Sequence, residues 1–412
     1  MAMLIKLAWR NLWRNKLRTS IMLSAMAFGL IGVVTMIGFM NGMYGNMIDN
    51  AISWQTSHVQ VHHQGFVDNP EINLTIVEPE RITAELERMS EVIAWSERFI
   101  VDGMVASARS SRGVRVNGVD IDAEARVTPI ASSVKEGSWL PAEGRHPVVV
   151  SSKTAQRLRL KLGSKVVITF SDADKDVTGA AFRVSGIFST PSTSFDDGNI
   201  YVRRSDLIAM AGIEGSHEIA VLLDDSNSMS NALAVMVRDK IRLITSNENN
   251  VRDWQQIQPM LASIIAQMGP SNAILLGIFV SAMGFGVVNI MLMSVFERTR
   301  EFGVLMAVGM QKHKVFALII FETSLLGVTG ATIGLVSSLA LVELLQITGI
   351  PLGNMAEGLG AFGVDTTLYP QVAASEYRYI FITVVLVCVL AALYPARQIL
   401  KQRPVDAMAE KH

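Results

Sequence analysis

The sequence predicts an α+β membrane protein: four transmembrane helices, with a large mixed α/β extracytoplasmic domain inserted between the first two. Three observations predict it. Half of the 412 residues are hydrophobic and only 18% are charged, against roughly 25% charged in a soluble domain. Four runs stay apolar over the roughly 20 residues that a helix needs to cross a bilayer core. Between the first two runs lies a long stretch, residues 43–270, of mixed polarity and strand-like pattern.

The runs are Thr19 to Met40, Ser271 to Phe296, Val315 to Val342 (whose one charge is Glu322), and Tyr379 to Ala396. Ala25-Met26-Ala27 looks like a cleavage site, but the first run is longer than the roughly 7–15 residues of a signal-peptide core, so it reads as an uncleaved span. Lys and Arg mark the cytoplasmic side. Lys6, Arg10, Arg14, Lys16 and Arg18 precede span one; Arg298, Arg300, Lys312 and Lys314 lie between spans two and three; Arg397, Lys401, Arg403 and Lys411 follow span four. The loop from Gly349 to Glu376 has acids but no Lys or Arg. Both termini are therefore expected in the cytoplasm. The full division is 1–18 an interfacial helix, 19–42 span one, 43–270 the outer domain (as one or two subdomains) and 271–296 span two. Then follow 297–314 a cytoplasmic connecting segment, 315–342 span three, 343–377 a short outer loop, 378–397 span four and 398–412 a cytoplasmic tail.

Within 43–270, β-branched runs bounded by Gly, Asp and Pro predict strands at 58–62, 114–119, 148–150, 165–170, 182–188, 199–202 and 218–223. Helices are expected at Pro79 to Met89, Ser152 to Leu162 and Ser228 to Ile244. The single Cys, Cys388, lies in span four, so packing alone must hold the outer domain.

Several chemistries are excluded. Lys+Arg 36 against Asp+Glu 37 gives no basic field for nucleic acid. No G-x-x-x-x-G-K-[ST], G-x-S-x-G or H-E-x-x-H occurs, so the sequence shows no phosphate-cradling loop, nucleophile elbow or metalloprotease pair. His58, His62 and His63 read as a surface strand rather than a metal site, because no acid stands near them in sequence. No catalytic residue, cofactor or metal is expected.

Two segments carry functional patterning. In residues 4–17, Leu4/Ile5, Ala8/Trp9, Leu12/Trp13 and Leu17 recur at helical spacing, with Lys6, Arg10 and Arg14 on another face. Trp rings favour the headgroup zone and cations favour anionic lipid, so Trp9, Arg10, Trp13 and Arg14 predict an interfacial helix. Residues 296–310, Phe-Glu-Arg-Thr-Arg-Glu-Phe-Gly-Val-Leu-Met-Ala-Val-Gly-Met, pass from charged to small and apolar. That suits a short amphipathic helix against a partner protein. Gly330 and Gly334 form a small-xxx-small face on span three, with Gly277, Gly284 and Gly286 expected to act similarly on span two. Glu322 should face protein or water.

The 297–309 segment resembles the cytoplasmic coupling segment of the FtsX/MacB-type ABC permease family, E-R-T-R-E-I-G-x-L-x-A-x-G. The run Tyr394 to Met408, Tyr-Pro-Ala-Arg-Gln-Ile-Leu-Lys-Gln-Arg-Pro-Val-Asp-Ala-Met, resembles the same family's closing Y-P-A-R-x-A…P-x-x-A-L. Gly38-Phe-Met-Asn-Gly42, Ser57-His-Val-Gln-Val61 and Val184-Ser-Gly-Ile-Phe-Ser-Thr190 are similar to its lipoprotein-releasing LolC/LolE branch. The resemblance implies a permease subunit of the bacterial inner membrane that is not itself an enzyme. ATP and Mg would sit on a separate cytoplasmic ATPase dimer, and a second permease chain would complete a homo- or heterodimer. It implies that Glu297, Arg298, Arg300, Glu301, Phe302, Gly303, Leu305, Val308 and Gly309 couple to the ATPase. The four charges would set orientation, Leu305 and Val308 would supply buried contact, and Gly303 and Gly309 would allow close approach or end the helix. The substrate would be a lipoprotein or another molecule at the outer face, with membrane lipid in contact. Adaptor-dependent efflux or peptide export, and mechanical activation of an outer enzyme, are the alternatives.

Overall fold

The computed structural model describes residues 2–225, 230–353 and 355–401, and its contacts divide them into two units. A helical unit takes residues 2–42, 267–350 and 369–401; an inserted domain takes 43–266 and 351–368.

Among the described residues four helices are long and apolar enough to cross a membrane. Span one starts at Lys16 (Lys16–Ala51), span two is Pro259–Glu297, span three Lys312–Thr348 and span four Ala374–Lys401. An N-terminal helix, Ala2–Leu12, and a connector helix, Thr299–Ala307, complete the set. Span two begins at Pro259, not near Ser271, because Pro at the helix start is favourable and the polar residues that follow end a hydrophobic run without ending a helix. The expected 343–377 loop is likewise divided: span three continues to Thr348, and residues 351–368 belong to the inserted domain. There Asn46 Oδ1 accepts from the Asp365 N–H at 2.8 Å and Asn50 donates to the Gly363 carbonyl at 2.7 Å.

Small residues set the helix spacing. A Cβ on Gly334 would fall 2.6 Å from Leu30 Cδ1 and 3.2 Å from Ala27 Cα, and one on Gly330 would fall 2.7 Å from Met26 Cε. Span three therefore approaches span one through the predicted pair. Gly327 meets Cys388 of span four in the same way, at 2.7 Å. On span two the expectation holds for Gly284, which lies 3.0 Å from Val387 by the same measure. It fails for Gly277 and Gly286, which face open space. Phe28, Ile278, Phe285 and Leu386 are exposed around the bundle, as lipid-facing positions require.

The inserted domain is built on a ten-stranded sheet. Its strands are β1 (Val59–His63), β2 (Val92–Ala106), β3 (Ser111–Val119), β4 (Val134–Gly137), β5 (Pro147–Ser151), β6 (Lys165–Ser171), β7 (Val177–Phe188), β8 (Asn199–Arg203), β9 (Glu218–Leu223) and β10 (Asn249–Asp253). Their order is β10-β1-β9-β2-β3-β8-β5-β7-β4, with β6 pairing β2 and β7. One apolar cluster gathers Val61, Ile82, Leu86, Val221, Val237 and Trp254; another gathers Phe99, Val116, Val148, Ile168, Phe182 and Val202. Helices form at Pro79–Leu86, Ser152–Leu158 and Ala232–Ile244. Ser228, where the last was expected to start, lies outside the described residues.

At the sheet's centre Arg98 is buried. Its fork holds Glu124 at 3.0 and 2.8 Å, and its third nitrogen holds Glu218 at 2.6 Å. Two carboxylates around one guanidinium satisfy charges that would be costly to bury alone. His62, buried and not at the surface, points Nδ1 at the His217 carbonyl, 3.0 Å away. The three histidines also diverge: His58 Nδ1 accepts from the Leu223 N–H and His63 turns to the Gln64 carbonyl. Among the described residues no group of His, Cys, Asp and Glu is placed to hold a metal.

Candidate functional site

The connector helix has two faces. Thr299, Phe302 and Gly303 are buried, and Leu305 and Met306 pack partly against the bundle core. Arg300, Val304, Ala307 and Val308 recur at i, i+4, i+7 and i+8 and are all exposed, Val308 by 84%. This assigns the apolar positions differently from the sequence reading. Leu305 is engaged within the chain's own bundle, and Val304 stands beside Val308 on the free face.

The helix ends by a double turn bond. Met310 N–H donates to the Leu305 carbonyl at 2.9 Å and Gly309 N–H to that of Met306 at 3.1 Å, with Gly309 at φ +103°. This is the six-to-one and five-to-two pattern that favours Gly just past a helix, because a side chain strains that conformation.

Three of the four charges expected to face a partner are paired at home. Glu297 pairs with Arg18. Glu301 receives Arg14 at 2.8 and 3.0 Å and Arg298 Nε at 3.1 Å. Arg298 also donates from Nη1 to both Glu322 oxygens, at 3.1 and 3.0 Å, and lies 5.1 Å from the centre of the Phe302 ring. The hydrogen bond from Arg14 holds the half-exposed Glu301 carboxyl below the usual carboxylate range, and Arg298 assists. Arg300 makes no ion pair among the described residues. Glu322 thus faces protein and a polar cavity of about 350 Å³, lined also by Asn11, Arg14, Arg18, Ser294 and Glu297. The sequence shows each of these charges but not their pairing, since Arg298 and Glu322 stand 24 residues apart.

On the N-terminal helix, Ala8 and Leu12 enter the bundle core. Trp9 and Trp13 stay partly exposed with ring centroids 6.0 Å apart, and Arg10 and Arg14 are exposed. One apolar stripe is therefore shared: its small half packs inward and its aromatic half faces outward. The closing motif beyond Lys401 lies outside the described residues.

Four membrane-length helices around a charged connector, with an α+β domain inserted between the first two, define a multi-pass membrane protein of the permease class. Residues 19–238 match the MacB-like periplasmic core domain and residues 273–404 the FtsX-like permease C-terminal model. The chain belongs to this family, the FtsX-like ABC transporter permeases with a MacB-like core domain. It is 24% identical to a macrolide export ATP-binding/permease protein MacB of Acinetobacter baylyi, over 93% of this chain and 56% of that protein. It is 21% identical to a lipoprotein-releasing system transmembrane protein LolC of Xylella fastidiosa, over 93% and 91%. An uncharacterized ABC transporter permease of Methanocaldococcus jannaschii is 23% identical, over 67% and 65%. The chain thus spans just over half of the MacB protein and less than two thirds of the archaeal one.

Proposed function

We propose that this permease is the membrane subunit through which a separate cytoplasmic ATPase dimer works on a substrate at the outer face, both termini lying in the cytoplasm. The observation that carries the reading is the free face of the connector helix. Val304, Ala307 and Val308 are small apolar side chains left exposed beside Arg300, a cation with no ion pair among the described residues, on a helix whose other face is packed. Such a face suits a cleft with an apolar floor and an acidic rim. A second permease chain would complete the assembly, and closure of the ATPase dimer would move the connector helices and, through them, the spans.

For the substrate we favour a lipoprotein. The relative named LolC matches over nine tenths of both chains, whereas the relative named MacB, an ATP-binding/permease protein, is matched over about half its length. Each buried CH₂ holds an acyl chain in the membrane by about 0.8 kcal/mol, so extraction is steeply uphill and needs ATP. Export through an adaptor is the second reading, supported by the MacB-like core domain.

The test is purification of the tagged chain from its native membrane under mild detergent. An ABC-type ATPase and acylated protein should co-purify, and the chain alone should bind no nucleotide. Nucleotide binding by the isolated chain, or capture without any ATPase, refutes the reading; capture of an adaptor instead of acylated protein selects export.

A further inference from the structure

We propose that Glu322 is a positioning residue for the connector helix: as the fixed counter-ion of Arg298 inside span three, it aims the exposed face and ties the helix's movement to that span. The proposal rests on the reading that this face meets an ATPase.

Glu322 is 7% exposed and lies eight residues, about 12 Å of helix rise, past Lys314. A carboxylate at that depth needs a partner, and Arg298 supplies one with directional geometry. A single guanidinium touches three places: both oxygens of Glu322, the first-turn Glu301, and the face of the buried Phe302. Arg14 extends the chain of charges from Glu301 to the segment before span one, and Arg18 links Glu297 to the first turn of span one. Turning the connector helix by one residue, about 100°, would draw Phe302 from the core and Arg298 from Glu322 together. Burial of Phe302 and the ion pair therefore oppose the turn together, and the ion pair adds the directional part. Held by both, the helix keeps Arg300, Val304, Ala307 and Val308 outward.

The experiment uses the full chain in lipid nanodiscs. A spin label at Val308, with Cys388→Ser, reads the order of the connector helix in the chain alone. ATP hydrolysis, measured with the captured ATPase and unlabelled permease, reads coupling. Wild type should give one ordered spectral component. Glu322→Gln and Arg298→Gln should each add a mobile component and lower hydrolysis by the complex about tenfold. The double variant should be no worse than either single one, since both break one link, and Glu322→Asp should restore most of both readouts. A residue needed only for folding would lower yield while leaving label mobility and turnover per assembled complex unchanged. That result, or additive losses in the double variant, overturns the proposal. Should Glu322→Gln not fold, Glu322→Asp and Arg298→Gln decide by the same two readouts. If the wild-type chain captures no ATPase, the docking reading fails, and label mobility alone still decides the positioning role.

Discussion

Arg298 reaches from the start of the connector helix into span three and gives one nitrogen to both oxygens of Glu322, at 3.1 and 3.0 Å. The pair joins a charged segment, Glu297 to Glu301, to Glu322, the one charge in the apolar run Val315 to Val342. Each partner is the other's most direct counter-charge inside the bundle. Without Arg298 the carboxylate would lose its directly bonded cation, and without Glu322 the cation would lose its innermost counter-charge.

The energetics follow. Removing one member of a buried ion pair costs about 3–5 kcal/mol, because the survivor stays buried and uncompensated, whereas replacing both by apolar groups of similar volume is often neutral. Glu322→Leu should therefore lower the thermal midpoint of the detergent-solubilised chain markedly, and Arg298→Met/Glu322→Leu should recover most of the loss. A double variant as unstable as Glu322→Leu alone would show that the pair contributes no mutual compensation.

On the exposed face, Val308→Asp should weaken ATPase capture while leaving the chain's own stability within about 0.5 kcal/mol, as exposed substitutions do. Anchors in packed interfaces cost about 2 kcal/mol or more when lost, which is roughly thirtyfold in affinity. Leu305→Asp should instead destabilise the chain itself, because Leu305 packs partly on the bundle core. Pull-down and thermal unfolding of both variants separate the two effects; normal capture by Val308→Asp would remove the docking face from the mechanism.

Helix spacing gives a third test. Gly334→Val places a branched side chain where even a Cβ meets Leu30 at 2.6 Å, and overpacking of this kind costs about 1–3 kcal/mol. Gly286→Val meets open space and should cost little. Equal thermal midpoints for the two variants would contradict the close approach of spans one and three.

Orientation is tested by fusion. A reporter active only outside the cytoplasm should be active when joined at Asp172 and silent at Lys312; activity at Lys312 would overturn the four-span topology with cytoplasmic termini.

The spans were legible because charge is absent over membrane length, and the connector helix because charge gives way there to small apolar residues. Its inward face was not legible, since nothing local says whether Leu305 or Val304 meets the bundle. Strand β2 was hidden for a related reason. Arg98 and Asp102 interrupt its alternation, and Arg98 is tolerated only because Glu124 and Glu218, distant in sequence, close around it. Strand β10, Asn249–Asp253, is poor in β-formers and is held by its register against β1, Val61 opposite Val251. In each case tertiary pairing overrides local preference.

Acid titration of the inserted domain separates two opposed groups. Burial lowers His217 from 6.5 to about 4; its Nδ1 accepts from the Ile100 N–H at 3.0 Å while Nε2 donates to the Ile72 carbonyl at 2.8 Å, so a second proton has no place. As pH falls through 6.5 the unfolded chain takes a proton that the folded chain refuses, and stability is lost down to about pH 4. Burial raises Asp196 from 3.8 to about 6, against hydrogen bonds from Thr190 that favour the charged form. Here the folded chain takes its proton first, so stability is gained as pH falls from about 6 to 3.8. At about 1.4 kcal/mol per tenfold, each effect is at most about 3 kcal/mol, and the two nearly cancel. His58 and His62, both lowered chiefly by burial, tip the balance toward loss in acid. Wild type should therefore lose stability gently between pH 6.5 and 4.5, and Asp196→Asn, which lacks the opposing gain, should lose it more steeply by up to about 2 kcal/mol over that interval. Urea unfolding of the full chain at both pH values, followed by tryptophan fluorescence, to which the buried Trp254 contributes, measures both slopes. Parallel slopes would mean that Asp196 does not take up its proton early in the folded domain.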